Sequence, residues 1–241
     1  MAGHSKWANI KHRKGTNDSK KSKLFSKLVK EIAMASKQGG AAPASNPGLR
    51  LAIQNAKNAN VPKENIERAI RQGTRQDTTA YTEVTYEGYT AHGVAVIVEC
   101  MTDNVNRTVA AVRAIFTKYG GRLGKSGALA FLFDRKGVFT LPKETVKNEE
   151  TLTLAMIEAG AEAIKLEEDY FYITCPLETF GHIQHKLEML KVVVDDASLQ
   201  YIPNTYVTLH KEAAVKITQL TDALEDYEDV QSVFHNIDTY Q

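Results

Sequence analysis

Gly124-Lys125-Ser126 is the first of three patterns in this sequence whose residue types could carry out chemistry. The triplet resembles the end of a phosphate-binding loop, in which backbone amides surround a nucleotide phosphate and a lysine neutralises its charge. The complete loop needs a glycine at position 119, which is Tyr119 here, and a helix directly after the triplet. Residues 128–133 predict a strand instead, so we do not expect a nucleotide-binding loop.

A histidine pair and two acidic runs are the other two patterns. His182 and His185 lie three residues apart on a predicted helix, but no third ligand or nucleophile accompanies them at a suitable spacing. Asp195-Asp196 and residues 225–229 could pair carboxylates or hold a metal, yet adjacent exposed carboxylates usually point apart, which favours solvated surface. The sequence contains no Ser-His-Asp signature, no Cys-His signature and no metalloprotease signature. We therefore predict a protein that is not an enzyme and that binds no metal and no cofactor.

The distribution of charge is the clearest chemical signal. The chain has 30 Lys+Arg and 29 Asp+Glu, so its formal net charge is only +1. Residues 1–80 contain 16 Lys+Arg and 5 Asp+Glu, a net charge of +11, whereas residues 81–241 contain 14 and 24, a net charge of −10. An asymmetry of this size indicates a basic module that binds a polyanion, joined to an acidic body.

A predicted helix at residues 19–38 carries much of the positive charge. At about 100° per residue, its apolar side chains share one side, and five lysines fall within an arc of about 100° on the opposite side. These five are Lys20, Lys23, Lys27, Lys30 and Lys37. An ordinary solvated face mixes both signs, whereas Glu31 is the only acidic residue in this stretch. The face therefore predicts polyanion binding.

A second group of cations precedes this helix and surrounds Trp7, the only tryptophan. Trp7 either stacks on a nucleic-acid base or anchors the N-terminal arm on the helical module, and both interpretations stay open. We expect Lys20, Lys23, Lys27 and Lys30 to make most of the phosphate contacts. The full set of residues predicted to bind nucleic acid is Lys6, Trp7, Lys11, His12, Arg13, Lys14, Lys20, Lys21, Lys23, Lys27 and Lys30.

The first 78 residues are predicted to form a small helical domain. Asn46-Pro47 predicts a helix cap followed by proline at the first helical position. Val61-Pro62 predicts the start of a third helix, which ends at Gly73. The core of such a domain is thin, and domains of this size are only marginally stable alone.

The remainder of the chain alternates short strands with helices. Strands are predicted at 82–86, 93–100, 128–133, 137–141, 163–166, 170–175, 198–202 and 230–236, and helices at 104–119, 151–159, 180–190 and 212–224. This order predicts α+β domains of the ferredoxin-like type, with a sheet on one side and helices on the other. Cys100 and Cys175 each end a strand and are expected to be partly buried thiols in a reducing cytoplasm.

Longer motifs throughout the chain are shared with one known family. They include Met1-Ala2-Gly3-His4-Ser5-Lys6-Trp7, Asn46-Pro47, Val61-Pro62-Lys63, Asn65-Ile66-Glu67-Arg68-Ala69-Ile70, Tyr86-Glu87-Gly88-Tyr89, Thr102-Asp103-Asn104 and Asn106-Arg107-Thr108. In these motifs the sequence closely resembles the YebC/PmpR family over essentially its whole length.

The resemblance implies three domains. They are a basic, all-helical domain at 1–78, an α+β domain made of 79–127 and 206–241, and a second α+β domain at 128–205 inserted into it. It also implies a non-enzymatic regulator of gene expression, because bacterial members are known as probable DNA-binding transcriptional regulators. Mitochondrial relatives are translational activators, and bacterial relatives are also linked to the relief of ribosome stalling, notably at proline runs.

Two targets remain open at this point. As a transcription factor, the protein would contact duplex DNA mainly through phosphates, with weak sequence discrimination because no arginine- or asparagine-rich recognition helix is evident. As a translation factor, it would contact ribosomal or transfer RNA and have the ribosome as a partner. Spanning a membrane takes roughly 18 or more apolar residues, and no such run or signal-peptide core is present. We therefore expect a cytoplasmic protein without a membrane partner or a small-molecule substrate.

Overall fold

The computed structural model describes residues 18–75 and 81–240, and these residues form two compact units. The first unit takes its described residues from Met1–Lys30, Gln76–Asp134 and Tyr201–Gln241. The second unit consists of Glu31–Arg75 and Arg135–Gln200. The division into three domains stays a prediction.

Three helices cover the N-terminal part of the described chain: α1 (Asp18–Gly39), α2 (Pro47–Asn58) and α3 (Lys63–Thr74). The Asn46 side chain links the end of α1 to the start of α2. Its amide donates to the carbonyl oxygens of Ala35 and Gly40, both at 2.8 Å, and its oxygen accepts from the Leu49 amide at 3.0 Å. One buried side chain thus satisfies backbone groups at two helix ends, and the predicted cap with Pro47 at the first helical position is confirmed.

The other elements, in chain order, are β1 (Thr82–Tyr89), β2 (Ala95–Thr102), α4 (Val105–Lys118), β3 (Arg122–Leu123), β4 (Phe133–Pro142), α5 (Glu149–Glu158), β5 (Ala163–Glu167), β6 (Tyr170–Cys175), α6 (Phe180–Met189), β7 (Asp196–Pro203), β8 (Val207–Leu209), α7 (Lys211–Glu225), β9 (Val230–His235) and β10 (Ile237–Tyr240). Three short 3-10 helices lie between them in the described chain.

The first unit is built on a sheet with the strand order β3-β1-β2-β9, and β8 pairs with β10 in a separate two-stranded sheet. Strand β2 lies inside the larger sheet and is buried on both faces. Val96, Val98 and Cys100 join a core with α4 and α7, whereas Ala95 and Ile97 pack with residues such as Leu129 and Phe234. This two-sided burial explains why β2 is a continuous apolar run in the sequence.

The second unit contains the order β4-α5-β5-β6-α6-β7, and its sheet has the strand order β5-β6-β4-β7. This is the ferredoxin-like arrangement, in which the first strand of the unit (β4) lies between the third (β6) and the fourth (β7) and pairs with both. Its core includes Phe139, Met156, Ile173 and Leu187, all with 0% exposure. The predicted α+β class and the N-terminal helical region are therefore confirmed.

One predicted strand is wrong. Residues 126–132 form turns instead of a strand, and β4 runs without a break from Phe133 to Pro142, across the gap between the predicted strands 128–133 and 137–141. The cause is the Glu87 carboxylate, which accepts hydrogen bonds from the amides of Gly127 and Leu129 at 2.7 and 2.6 Å. Amides that are held by a side chain in this way are not available to a neighbouring strand. The short strands β3, β8 and β10 were not predicted.

The packing of α3 on α1 depends on Gly73. A side-chain carbon at Gly73 would clash with the Ala33 carbonyl oxygen and would lie 2.8 Å from the Ser36 side chain. Around this contact, Ile32, Leu49 and Ala69 are completely buried. The two helix backbones can therefore approach this closely only because residue 73 has no side chain.

We expect Gly73→Ala to lower the free energy of unfolding of the second unit by about 1–3 kcal/mol, because it overpacks this contact. Gly181→Ala is the matched control, since Gly181 lies in helix α6 and has nothing within 4 Å of the added carbon. The control should be neutral or stabilising by up to about 1 kcal/mol, because alanine favours the helix. Urea unfolding monitored by circular dichroism measures both changes, and equal stabilities would contradict the proposed contact.

Candidate nucleic-acid interface

Three of the predicted lysines on α1 contact the acidic connector, which we define as residues 225–229 at the junction of α7 and β9. The Lys23 ammonium lies 2.7 Å from an oxygen of the Asp226 carboxylate, and the Lys27 ammonium donates to the Glu225 carbonyl oxygen at 3.2 Å. The side chains of Lys23 and Asp226 are 47% and 62% exposed. An ion pair this exposed contributes little stability in water, so a phosphate group can exchange for Asp226.

Lys30 is held more firmly than Lys23. Its ammonium donates to the Glu228 carbonyl oxygen at 2.8 Å and lies 3.6 Å from the Asp229 carboxylate and 5.5 Å from the centre of the Tyr81 ring. The Lys30 and Asp229 side chains are only 17% and 3% exposed. Removing Lys30 from this site would leave a buried carboxylate with one cation fewer, so this lysine stabilises the first unit.

Asp229 is the centre of a buried polar network. One of its carboxylate oxygens accepts hydrogen bonds from the hydroxyls of Thr102 and Thr108 at 3.1 and 2.8 Å and from the Arg107 guanidinium at 3.0 Å. Its other oxygen faces Lys30. The carboxylate therefore connects the end of β2, the first turn of α4, the start of β9 and helix α1.

The motif Thr102-Asp103-Asn104…Arg107-Thr108 builds the other side of this network. The Asn104 side chain caps α4 by accepting from the Arg107 amide at 3.0 Å, and the Arg107 guanidinium pairs with Asp103 at 2.7 Å. The Asn104 amide donates to the Thr102 hydroxyl oxygen at 3.0 Å. These contacts give the motif a structural role, which the spacing of its residues did not reveal.

The network sets the ionisation of Asp229. Burial alone would raise the pKa of its carboxyl, but hydrogen bonds from Arg107, Thr108 and Thr102, together with the charge of Lys30, favour the ionised form. The pKa of Asp229 is consequently lowered from its ordinary value of 3.8. The folded protein keeps this carboxylate charged at neutral pH.

The remaining predicted residues can be placed only in part. Lys6, Trp7, Lys11, His12, Arg13 and Lys14 lie outside the described residues, and the structure describes only the backbone of Lys20 and Lys21. Lys37, the fifth lysine of the face, belongs to the second unit and is exposed.

The second unit presents further cations to solvent along α2 and α3. The exposed residues are Lys57, Lys63, Arg68, Arg71 and Arg75. Arg68 donates to the Asn65 side chain at 2.5 Å, and Lys63 lies 3.7 Å from Glu67. Contacts of this kind leave the cations in water, where they can attract a polyanion.

Residues 104–133 form a second basic segment, which lies within the acidic part of the chain and which the division at residue 80 concealed. The segment contains five Lys+Arg and no Asp or Glu. The other residues of 81–241 therefore have 9 Lys+Arg and 24 Asp+Glu, a net charge of −15. A charge count in a sliding window along the sequence would have found it.

The patterns first considered for chemistry have structural explanations. The Gly124-Lys125-Ser126 triplet is followed by turns, in which the Gly127 and Leu129 amides donate to the Glu87 carboxylate, and not by the helix that a phosphate-binding loop needs. His182 and His185 are exposed on α6. Within residues 18–75 and 81–240, no group of three or more His, Cys, Asp or Glu residues could hold a metal ion. Among the helices in the described ranges, none is long and apolar enough to cross a membrane.

The two cysteines are free and buried, one in each unit. Burial raises the pKa of the Cys100 thiol to about 12 and that of the Cys175 thiol to about 11. Thiols with such pKa values react slowly with alkylating reagents until the surrounding structure opens. Each cysteine therefore reports on the opening of its own unit.

Fold and surface together define an α+β protein with a basic helical region. The first part of the chain, residues 5–76, matches the family model described as "TACO1/YebC protein N-terminal domain". Residues 81–237 match the model described as "TACO1/YebC second and third domain". The chain belongs to the TACO1/YebC family, which confirms the resemblance found in the sequence.

Individual relatives align with this chain over nearly their whole length. A probable transcriptional regulatory protein of Amoebophilus asiaticus is 60% identical over 239 residues, covering 98% of both chains. The probable transcriptional regulatory protein YrbC of Bacillus subtilis is 48% identical and covers 98% of this chain and 99% of its own. The crystal structure of a conserved hypothetical protein from Aquifex aeolicus superposes with a TM-score of 0.88 at 44% identity, covering 98% of both chains.

We expect Asp229→Asn to lower the stability of the first unit by roughly 3 kcal/mol at neutral pH, because it leaves Arg107 and Lys30 without their shared carboxylate. Each 1.4 kcal/mol of lost stability raises the equilibrium constant for unfolding tenfold. If Cys100 reacts only in the unfolded first unit, its alkylation rate should therefore rise about a hundredfold. Cys175 serves as the internal control and should keep its rate. Equal rates at Cys100 in both proteins would contradict the central role of the network.

The same variant gives a pH test. A lowered pKa means that the charged Asp229 contributes full stability above its unfolded value near 3.8, and that this contribution is lost as the pH falls through the lower folded value. The stability difference between the native protein and Asp229→Asn should therefore be constant near neutral pH and shrink below about pH 4. A difference that grows on acidification would contradict this assignment.

Proposed function

We propose that this protein is a non-enzymatic regulator of gene expression that binds nucleic acid, in the cytoplasm, through its N-terminal basic region. The observation that carries this proposal is the net charge of +11 within residues 1–80, in a chain whose total is +1. The names of its relatives, which are called probable transcriptional regulatory proteins, support it. So do the exposed cations along α2 and α3.

Within this region we propose a division of roles among the lysines of α1. Lys20, Lys21 and Lys23, with Lys6, Trp7, Lys11, His12, Arg13 and Lys14 of the N-terminal arm, make the first phosphate contacts. Lys23 can exchange its exposed partner Asp226 for a phosphate at little cost in stability. Lys27 and Lys30 reach the nucleic acid only when their contacts with the acidic connector open, because both donate hydrogen bonds to it.

Charge reversal tests this proposal. We expect Lys20→Glu/Lys21→Glu/Lys23→Glu to weaken duplex DNA binding by more than roughly tenfold, because phosphate contacts are lost. Each lost contact should also reduce the steepness of log K against log salt by about 0.9. The control is Lys147→Glu/Lys191→Glu/Lys216→Glu, which changes the net charge equally at three exposed lysines elsewhere. Fluorescence anisotropy at several salt concentrations measures both. Equal losses in the two folded variants would show that only total charge matters.

We propose duplex DNA as the physiological target, with RNA as the alternative outcome of one experiment. Crosslinking of the tagged protein in cells, followed by sequencing, should give chromosomal peaks. Sedimentation of the same extract through a sucrose gradient, with and without nuclease, should leave the protein out of the ribosome fractions. Nuclease-sensitive migration with ribosomes and an absence of chromosomal peaks would replace DNA by RNA as the target.

A further inference from the structure

A groove in the first unit, formed by β1, α4 and β3, is lined partly by the second basic segment. We call it the arginine groove. Its volume is about 500 Å³, and its lining includes Thr85 on β1, Arg113 and Thr117 on α4, and Arg122 on β3. Arg113 and Thr117 are four residues apart, so they line the same face of α4.

The two arginines of the groove are available to an anion. Both are exposed, and neither makes an ion pair with another residue in the described ranges. The carboxylate nearest to them in the lining belongs to Glu87, and both of its oxygens already accept from backbone amides. Glu87 therefore holds the loop after β3 in place, and in the structure it forms no ion pair with Arg113 or Arg122.

The surroundings of the groove allow a chain-like ligand to continue past it. A second concavity of about 460 Å³ adjoins it and shares Arg122, and its lining includes Gly93 and Gly120. Both glycines have positive φ, +76° and +77°, with no atom within 4 Å of the place a side chain would take. Their backbone is thus open to close approach by a ligand, a common arrangement where phosphates bind.

We propose that the arginine groove binds the phosphodiester backbone of a single-stranded nucleic acid. Two arginines offer planar donor groups that match phosphate oxygens, and the hydroxyls of Thr85 and Ser126 can bond to sugars or phosphates. A concave groove admits a single strand, which can bend into it, more readily than the convex surface of a duplex. This proposal rests on the proposed function and adds a second site, remote in sequence from the N-terminal lysines.

The test compares Arg113→Glu/Arg122→Glu with Lys147→Glu/Lys216→Glu, which makes the same charge change at exposed residues outside the groove. Arg113→Gln/Arg122→Gln is a second variant that adds no negative charge beside Glu87. The probes are short fluorescein-labelled oligouridine and oligothymidine. We expect the groove variants to bind roughly tenfold more weakly than the control. The slope of log K against log salt should be less steep by about 1.4, because two phosphate contacts to a single strand are lost.

Arginine modification gives a direct readout of the site. Saturating oligouridine should protect Arg113 and Arg122 of the native protein from phenylglyoxal, as followed by mass spectrometry. The modification of exposed Arg135, which lies in the second unit and outside the groove lining, should stay unchanged in the same sample. The alkylation rate of Cys100 reports whether the variants keep the fold of the first unit.

The outcomes separate the two proposals. If the native protein and the control bind the oligonucleotides and both groove variants bind equally well, the arginine groove is not a nucleic-acid site, while the proposed function stands. If the native protein binds neither oligonucleotides nor duplex DNA, the proposed function fails. If the groove variants keep nucleic-acid affinity but lose binding to a polyglutamate peptide, the groove is a site for acidic peptides and the inference is overturned.

Discussion

The buried carboxylate of Asp229 is the interaction on which the first unit depends. It lies where β9 begins, at 3% exposure, and brings the end of β2, the first turn of α4 and helix α1 to one point. A charge at this depth is stable only because two hydroxyls and a guanidinium donate to it and an ammonium group lies nearby. Any change that removes the carboxylate leaves its donors unsatisfied, so sheet and helices are coupled through one side chain.

If α1 binds phosphates as proposed, this coupling gives its lysine face two roles that compete with each other. A phosphate that takes Lys23 from Asp226 replaces one exposed anion by another, with little change in stability. A phosphate that takes Lys30 must remove it from Asp229 and from the Glu228 carbonyl, where the environment is mostly buried. Under the proposed function, the affinity for nucleic acid and the stability of the first unit are therefore linked, and the linkage increases along the helix from Lys23 to Lys30.

The sequence predicted the elements of this fold where local rules determine the structure. The Asn46-Pro47 cap, the apolar run of β2 and the ferredoxin-like order of strands follow from capping, periodicity and connectivity. The turn at 126–132 did not, because it depends on Glu87, a carboxylate some forty residues earlier in the chain. In the same way, no helical-wheel analysis could show that the lysine face of α1 lies against an acidic connector from the C-terminal part of the chain, because that contact is set by tertiary structure.

The charge pattern of the sequence correctly separated a basic part from an acidic part, but it did not locate all of the basic surface. The division at residue 80 separated +11 from −10 correctly, but it treated the body as uniformly acidic. The body instead contains a segment, 104–133, with five cations and no anion, and its fold places two of these cations in a concave surface. The other residues of the body have a net charge of −15, which opposes the binding of a polyanion. The segment 104–133 is the exception in charge, so the single strand proposed for the arginine groove would meet attraction there instead of repulsion.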